Sequence, residues 1–306
     1  MSDEEPRDFR AGYTALVGRP NVGKSTLMNR LLGQKVAAVS PRPQTTRLRQ
    51  LGILTSETAQ VVFMDTPGLH LPVHKLGEYM NQVAEDSLRD ADVICWLVDA
   101  SAPPTDEDRQ VAGRLKALKH ASPVLMVLNK VDVVNDGVLA QRSEAFQSLL
   151  PQVKPVAVSA VTGQNCYILL QEILAHLPQG APFFSEDQVT DFYERDIAAE
   201  LIREAALNHL RDEIPHGMAV RIDEFTERAT GGAYIHATLL VERETHKGIV
   251  IGRNGDMLKR IGSSARAEIE SMSDRKVFLE LKVKVNANWR NRPDALRWLG
   301  YTRDKD

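Results

Sequence analysis

The chain has 306 residues and a formal net charge of −3 at pH 7, with 43% hydrophobic, 26% charged and 6% aromatic residues. This composition is typical of a globular protein with room for two hydrophobic cores. It argues against a collagen, a coiled coil or a disordered chain as a description of the whole. The longest apolar run, residues 93–98, is far shorter than the roughly 20 residues that a membrane-spanning helix requires.

The N-terminus and the cysteines bear on the compartment. The first ten residues are largely charged and have no apolar run behind a basic head, so they predict a disordered tail rather than a secretory signal. Cys95 and Cys166 belong to no C-x-x-C pair, which argues against a disulfide scaffold and a zinc ribbon. We therefore expect a cytoplasmic protein.

Charge is divided unevenly along the chain. Residues 185–228 hold 12 acidic and 5 basic residues, whereas residues 243–303 hold 14 basic and 7 acidic ones. A basic C-terminal segment favours a polyanionic partner at that end. The alternative is a solvated surface that is basic by chance.

Short apolar runs alternate with amphipathic stretches of helical length through the first 180 residues. The runs start at Tyr13, Val61, Val93, Val124 and Pro155. This alternation predicts a mostly parallel sheet with helices on both faces, in a domain over residues 11–178. Residues 179–190 are rich in proline and acidic side chains and lack a period, so they predict a linker.

The remaining residues, 191–306, predict a smaller α+β domain. The pattern indicates a helix over 191–211, strands over 219–225 and 233–242, a helix over 256–272 and a strand over 276–286. In the last strand apolar residues alternate with Lys and Glu, so one face packs and the other meets water or a ligand. We expect a C-terminal helix beyond it.

A G-x-x-x-x-G-K-S motif stands between the first predicted strand and a helix predicted over residues 24–32. The motif consists of Gly18, Arg19, Pro20, Asn21, Val22, Gly23, Lys24 and Ser25, and Thr26 follows it. Its glycines let backbone N–H groups wrap around phosphate at a helix N-terminus. Lys24 is suited to the β- and γ-phosphates and the Ser25 hydroxyl to Mg²⁺. The alternative is a glycine-rich turn with a solvated lysine.

A D-x-x-G motif follows a later strand. Its residues are Asp65, Thr66, Pro67 and Gly68. A carboxylate at a strand end is placed to hold Mg²⁺ through water, and the Gly68 N–H is free to meet a γ-phosphate. By itself this motif is common and weak.

An N-K-x-D motif, Asn129 to Asp132 with Lys130 inside it, follows another apolar strand. The Asp132 carboxylate accepts hydrogen bonds from N1–H and the 2-amino group of guanine, whereas adenine offers neither donor. Such a mismatch discriminates by about 10⁴, so the motif predicts guanine. Ser159 and Ala160, at the next strand end, offer backbone N–H to guanine O6. A solvated turn is the alternative for N-K-x-D taken alone.

Residues 41–47 form a polar, proline-bearing stretch suited to a loop that orders around a γ-phosphate and Mg²⁺. One of its threonines is expected to bind the metal, and we prefer Thr46, with Thr45 as the rival. Residues 69–79 should move with this loop, because both touch the phosphate that hydrolysis removes. No third ligand accompanies His70 and His74, so we interpret them as solvated loop residues rather than a metal pair.

The motifs GRPNVGKS, QTTR, DTPGLH, NKVD and VSA resemble those of the translation-factor-related GTPases, and among these the Era family of ribosome-assembly GTPases. The resemblance implies an α/β P-loop GTPase domain followed by a smaller type II KH domain. It implies GTP or GDP and Mg²⁺ as cofactors. It also implies catalytic roles for Asn21, Lys24, Thr46, Asp65 and Gly68.

A G-x-x-G loop fits that resemblance, because in a KH domain such a loop clamps backbone nucleotides while single-stranded bases lie along an apolar groove. The residues expected at RNA are Lys247, Ile249, Ile251, Gly252, Arg253, Asn254, Gly255 and Lys259. Four apolar residues either line the groove or belong to the core: Ile249, Ile251, Leu258 and Ile261. Three residues either stack on bases or cap a C-terminal helix: Trp289, Arg290 and Arg292.

Ras-type GTPases carry a glutamine directly after D-x-x-G to orient the attacking water, and here that residue is Leu69. An apolar side chain cannot hold water, so we expect slow hydrolysis that relies on another group. Resemblance to GTPases with an asparagine at the position of Asn21 makes a K⁺ ion near Asn21 the candidate.

We therefore expect a switch in which GTP orders both loops and gates RNA binding. We also expect a monomer. The resemblance implies binding of single-stranded RNA at the 3′ end of small-subunit (16S) ribosomal RNA and action on the 30S subunit in its biogenesis. One alternative is an RNA-binding scaffold with nucleotide as a structural ligand. Another is a peripheral membrane GTPase, for which the resemblance implies some contact with the inner face of the membrane, but a long amphipathic basic helix and a lipidation motif are missing.

Overall fold

Strands and helices alternate in the first part of the chain in the computed structural model, which describes residues 9–40, 42, 45–118, 122–228 and 231–301. The elements are β1 (Arg10–Val17), α1 (Lys24–Leu32), β2 (Gln50–Thr55), β3 (Ala59–Asp65), α2 (Lys75–Asp90), β4 (Val93–Asp99), α3 (Asp106–Lys116), β5 (Val124–Asn129), α4 (Asp136–Gln147), β6 (Pro155–Ala157) and α5 (Cys166–His176). Most of the predicted tail, residues 1–8, and the loop residues Pro41, Pro43 and Gln44 lie outside the described residues.

The first sheet has six strands in the order β2-β3-β1-β4-β5-β6, and every pair is parallel except β2 with β3. Its strands are buried on both faces. Along β4, Ile94 and Trp96 belong to one core, and Cys95 and Leu97 belong to another on the opposite face. A continuous apolar strand is what a sheet covered on both faces requires. The predicted mostly parallel sheet is thus confirmed.

The strand β2 was missed by the periodicity of the sequence. It is an edge strand, and Gly52 interrupts its apolar residues. A Cβ at Gly52 would lie 2.7 Å from the Met28 sulfur, so close packing of α1 explains the glycine. That reason depends on a neighbour in space, which the pattern along the strand does not contain.

The second part of the chain forms a three-stranded sheet with helices. The elements are α6 (Glu194–His209), β7 (Ala219–Glu227), β8 (Ala233–Val241), α7 (Glu244–Ile251), α8 (Asp256–Ser273), β9 (Val277–Val285) and α9 (Pro293–Trp298). The strand β8 pairs antiparallel with β7 and parallel with β9. Apolar residues of α6 and α8, among them Leu201 and Ile269, share one core with the inward side chains of the sheet.

The chain divides into two compact units. The first contains the described residues up to Ala37, then Thr46–Leu71 and Met80–Asp191, and the second contains those of Ala38–Thr45, of Pro72–Tyr79 and from Phe192 onward. The stretch predicted as a linker, residues 179–190, lies in the first unit. Its backbone is bonded there, since the Gln60 side-chain oxygen accepts from the N–H of Phe183 at 2.7 Å.

Within the part of the chain that the structure describes, no helix combines the length and the apolar character needed to cross a bilayer.

Candidate functional site

The G-x-x-x-x-G-K-S loop connects β1 to α1, and Lys24 is the first residue of that helix. Gly23 has φ of 100°, and a Cβ there would lie 2.3 Å from the Asn129 side-chain nitrogen. Only glycine fits both constraints. The Lys24 ammonium donates to the carbonyls of Gly18 at 3.3 Å and Arg19 at 3.1 Å, so it lies inside the curve of the loop.

Lys24 is a buried cation. Its burial lowers its pKa from 10.5 to about 8; the Asp65 charge opposes this shift and the Arg19 charge adds to it. A lysine held in this way gains a full charge when an anion enters the loop, because the anion offsets the cost of burial. The loop therefore has the charge and the backbone geometry of a phosphate site.

Three oxygen-bearing side chains converge beside Lys24. The Ser25 hydroxyl lies 2.5 Å from Asp65 Oδ2 and 2.9 Å from Thr46 Oγ1, and the Thr46 hydroxyl donates to the same carboxylate oxygen at 3.0 Å. The other oxygen, Asp65 Oδ1, is buried and has no hydrogen-bond partner among the described residues. Burial raises the pKa of Asp65, although the Ser25 bond, the Lys24 charge and the Thr46 bond lower it. A hard, oxygen-only donor set of this kind fits Mg²⁺.

The two rival threonines have different surroundings. Thr45 donates to the carbonyl of Arg42 at 2.8 Å, whereas Thr46 meets Ser25 and Asp65. Thr46 is therefore the third oxygen of the cluster, and its role as the metal ligand stays a prediction.

The D-x-x-G segment packs directly on the phosphate loop. A Cβ at Gly68 would lie 2.6 Å from the backbone nitrogen of Pro20, and the N–H of Leu69 donates to the Gly18 carbonyl at 3.2 Å. The Thr66 hydroxyl, in the same segment as Pro67, donates to the Leu16 carbonyl at 2.8 Å. Leu69 is 3% exposed and joins the hydrophobic core, so its side chain is not placed to hold a water.

The N-K-x-D residues follow β5, next to the phosphate loop. The Asn129 amide donates to the Val22 carbonyl at 2.8 Å, and its oxygen accepts from the N–H of Ala160 at 3.0 Å. Asp132 lies in a short 3₁₀ turn and is exposed. The N–H of Ser159 is bonded to the Gln164 carbonyl at 3.0 Å. Both backbone donors predicted for guanine O6 are thus engaged inside the protein.

Sequence motifs did not show three residues that bond to the loops of this site. Arg30 donates to the carbonyls of Ala160 at 3.1 Å and of Val161. Asp99 accepts from Lys130 and Arg19, and the buried Asp108 also accepts from Arg19. The sequence offers one signal for Asp99, because it is a charged residue that directly follows the apolar run 93–98 at a strand end.

The G-x-x-G loop lies between α7 and α8. Gly252, Asn254 and Gly255 have φ of 75°, 53° and 83°, so the backbone bends sharply in the left-handed region. Arg253 and Asn254 are exposed at its tip. The N–H of Gly255 bonds back to the Gly252 carbonyl at 3.3 Å, which closes the turn.

A groove of about 410 Å³ runs from this loop between α8 and the edge strand β9. Its lining residues are Gly255, Leu258, Lys259, Gly262, Ser263, Arg266, Leu279 and Leu281. Apolar walls with two basic side chains suit bases that carry phosphates on one side. Of the predicted RNA residues, Gly255 and Lys259 line the groove directly.

The remaining predicted residues have different positions. Lys247, Ile249 and Ile251 belong to α7, where Ile249 is 50% exposed. Ile261 is fully buried in the core. Leu258 is the member of the four apolar residues that lines the groove.

Trp289 is fully buried, and its ring N–H donates to the Gly217 carbonyl at 2.9 Å. It therefore packs in the core and does not stack on bases. Arg290 pairs with Glu242 at 2.5 Å, and Arg292 pairs with Asp294 at 2.5 Å.

The two loop histidines have separate partners within the protein. The His70 ring bonds to the Gly68 carbonyl at 2.8 Å, and the His74 ring lies 3.4 Å from the Asn291 amide. Among the described residues, no group of three His, Cys, Asp or Glu side chains is placed to hold a metal.

Comparison with known proteins decides the family. The model of a family described as 50S ribosome-binding GTPase matches residues 13–130, and that of the KH domain matches residues 213–290. The GTPase Era of Ruminiclostridium cellulolyticum is 44% identical over 97% of this chain and 99% of its own length. The chain belongs to the Era family of GTPases. The GTPase Era of Geobacter metallireducens is 44% identical over 99% of this chain and all of its own length.

Two solved Era structures agree with this Era-family chain in fold. One is a crystal structure of Era with MgGDPNP and nucleotides 1506–1542 of 16S ribosomal RNA, and the other is Aquifex aeolicus Era bound to GDP·AlF4⁻. Each is 40% identical, has a TM-score of 0.91 and covers 96% of this chain and 100% of the solved one. The predicted family, the GTPase fold followed by a KH domain, and the GTP-hydrolase activity are confirmed.

Proposed function

We propose that this Era-family GTPase hydrolyses GTP at the convergence of Lys24, Ser25, Thr46 and Asp65, and that the bound nucleotide controls single-stranded RNA binding along the groove beside Gly255. The observation that carries the proposal is the cluster in which Ser25, Thr46 and Asp65 bond to one another beside a buried lysine. Three motifs far apart in the chain supply it.

The residues of the phosphate loop bind and orient the substrate. Backbone N–H groups of Gly23 to Thr26 and the Lys24 ammonium receive the phosphates, and Ser25, Thr46 and Asp65 hold Mg²⁺. When bound, Mg²⁺ neutralises charge that builds up on the phosphate oxygens. The support from relatives is that Era has been solved with MgGDPNP and with GDP·AlF4⁻.

The N-K-x-D residues select the base. Exposed Asp132 accepts from the two guanine donors that adenine lacks, and Asn129 ties the phosphate loop to residues 159–160. The Ala160 N–H already donates to the Asn129 side-chain oxygen. To reach guanine O6 as well, this N–H must be shared between the two acceptors.

The attacking water needs a group other than Leu69, whose side chain is buried in the core. We assign this role to a K⁺ ion near Asn21. Turnover in K⁺ should exceed that in Na⁺, and Asn21→Gly, which tolerates the φ of 64° at this residue, should remove the difference. Equal rates in the two salts would contradict the assignment.

A switch is supported by the packing of the second unit. That unit includes the described residues of Ala38–Thr45 and of Pro72–Tyr79, which belong to the two loops expected to sense the γ-phosphate. Within it, the N–H of Val39 donates to Glu204 on α6 at 2.9 Å. A change in either loop therefore reaches the unit that carries the G-x-x-G loop.

The proposed RNA is the 3′ end of small-subunit rRNA, and the proposed role is 30S biogenesis by a cytoplasmic monomer. Support comes from the groove, from the basic residues 243–303 and from the Era relative solved with nucleotides 1506–1542 of 16S rRNA. Phosphate contacts from such a basic segment make binding salt-dependent.

The test measures binding of an RNA oligonucleotide with that 3′-end sequence in the presence of a GTP analogue, GDP or no nucleotide. A difference of about tenfold or more between the GTP analogue and GDP supports the switch. Equal affinities in all three states favour the scaffold with a structural nucleotide. Binding to anionic vesicles at the expense of RNA favours the peripheral membrane function.

A further inference from the structure

A network of charged side chains connects the phosphate loop to the guanine loop. One oxygen of Asp99, Oδ2, lies 2.7 Å from the Lys130 ammonium and 3.4 Å from the Arg19 guanidinium. Arg19 also lies 3.3 Å from Asp108, whose side chain is fully buried. Lys130 belongs to N-K-x-D and Arg19 to the phosphate loop, so Asp99 joins two motifs that are 111 positions apart.

The topology of the sheet explains why this residue meets both loops. The strand β4 lies between β1 and β5, and its last residue, Asp99, is in register with Asn129. The phosphate loop follows β1 and the guanine loop follows β5, so the end of β4 stands between them. Carboxyl ends of neighbouring parallel strands meet at one edge of a sheet, where ligands bind.

The Asp99 carboxylate is held in one orientation. Its second oxygen, Oδ1, accepts from the Ser101 N–H at 3.0 Å and from the Ser101 hydroxyl at 2.5 Å. Burial raises the pKa of Asp99, but the Lys130 and Ser101 bonds outweigh burial and keep the pKa below its ordinary value. The group is therefore a carboxylate at neutral pH, with one oxygen for its own turn and one for the two cations.

We propose that Asp99 is a positioning residue that fixes the phosphate edge and the base edge of the nucleotide pocket together, through Arg19 and Lys130. It touches neither edge of the ligand itself. The proposal rests on the proposed nucleotide site and adds a residue that no nucleotide motif contains.

Replacement by asparagine removes the charge that both cations share and turns an N–H₂ donor toward one of them. Lys130 and Arg19 then lose a common anchor, and both loops become less ordered before the ligand arrives. Lys130 loses more, because its bond is shorter and Arg19 keeps Asp108 as a partner. The loss falls equally on GDP and GTP, which share the base and the β-phosphate.

The experiment is a double-mutant cycle on the full chain, with Kd for GDP and for a GTP analogue measured by calorimetry. We expect Asp99→Asn to raise both Kd values about tenfold and Lys130→Met to raise them by a similar factor. The double variant should be no more than about twofold worse than the weaker-binding single variant. If the fold increase in Kd of the double variant equalled the product of the two single increases, Asp99 would act independently of Lys130, and the proposal would be overturned.

Two controls keep the result interpretable. Glu144→Gln, an exposed residue of α4, removes the same charge and should leave Kd unchanged. The thermal midpoint of each nucleotide-free variant shows whether a loss follows from unfolding, and the cycle repeated on that midpoint should show less coupling than the cycle on Kd. Equal coupling in both would assign Asp99 a structural role alone.

The outcome also separates this inference from the proposed function. A wild-type chain that binds ATP as tightly as GTP would contradict the nucleotide site itself. Retained guanine selectivity with independent effects of Asp99 and Lys130 would contradict the positioning role alone.

Discussion

Lys24 is a buried residue whose charge state depends on what the phosphate loop binds. Burial lowers its pKa to about 8, so in the free protein it is mostly neutral at pH 9 and mostly charged at pH 7. A bound phosphate favours the charged form and raises this pKa, and Lys24 must then take up a proton where it was neutral. We expect GDP binding to take up about one proton at pH 9 and much less at pH 7.

Calorimetry in two buffers with different ionisation enthalpies measures that uptake. The phosphates of GDP are fully ionised at pH 9, so their protons do not contribute there. Guanine N1–H is partly ionised at this pH, so the proton that N1 regains on binding Asp132 is calculated from the pKa of free GDP and subtracted. Uptake that is the same at both pH values would contradict the assignment of Lys24 to the phosphates.

The two adjacent threonines allow a matched comparison. Thr46 bonds to Ser25 and Asp65, whereas Thr45 bonds to the Arg42 carbonyl. Loss of a metal ligand removes stabilisation of transition-state charge, so Thr46→Ala should lower kcat for GTP hydrolysis by about 100-fold and raise the Mg²⁺ concentration required. Thr45→Ala should change kcat by less than about threefold. Equal losses in the two variants would contradict the metal assignment.

Residue roles were predictable where a motif is local and not where partners come together only in the fold. The spacing within eight positions predicts the roles of Lys24 and Ser25, and in the structure both stand at the start of α1, where Lys24 bonds to the loop and Ser25 to Asp65. The partners of Asp99 could be predicted only if the order of the strands β1, β4 and β5 in the sheet were known. Trp289 is buried because its ring N–H bonds to the Gly217 carbonyl, far away in the chain, and its ring stacks on Tyr301. Neither contact is visible in the sequence around Trp289, so the sequence left its role open.

At the scale of elements, helix α8 and strand β9 determine the shape of the RNA groove. Gly262 of α8 lines this groove, and a Cβ there would lie 3.3 Å from Leu281 on β9. Gly262→Leu should fill the space that a base requires and weaken RNA binding by about tenfold or more. Hydrolysis of GTP without RNA should stay unchanged.

Gly113→Leu is the matched control for that groove variant. Gly113 also lies inside a helix, α3, and no heavy atom stands within 4 Å of the Cβ that it would gain. Both substitutions raise helix propensity by a similar amount, so any shared change in stability cancels in the comparison. RNA affinity that is equal in the two variants would contradict the groove as the binding site.

Element prediction succeeded where an apolar run belongs to a single strand or one helix face. The helix predicted over residues 24–32 matches α1, and the strand predicted over 276–286 contains β9. The linker prediction rested on proline and acidic content in residues 179–190. In the fold, Ile53 donates its N–H to the Val189 carbonyl at 2.9 Å, so backbone bonding to β2 holds this stretch against the first unit.

At the scale of the whole molecule, the proposed switch requires loops that respond to nucleotide and are also held by the second unit. The described residues among 38–45 are candidates for this role, since they precede Thr46 in the chain and belong to the second unit. Their described bonds there include Val39 to Glu204 at 2.9 Å and Ser40 to Asn208 at 3.0 Å. Glu204 is therefore a residue of the second unit that holds part of the loop expected to respond to nucleotide.

Glu204→Ala removes the acceptor of the Val39 N–H without changing the nucleotide pocket. Only GTP requires the ordered loop, so the substitution should lower the preference for a GTP analogue over GDP by about threefold. The measurement is the ratio of the two Kd values, with exposed Glu213→Ala as the control of equal charge. If Glu204→Ala left the ratio at the value of Glu213→Ala, the second unit would hold this loop without any influence on which nucleotide the chain prefers.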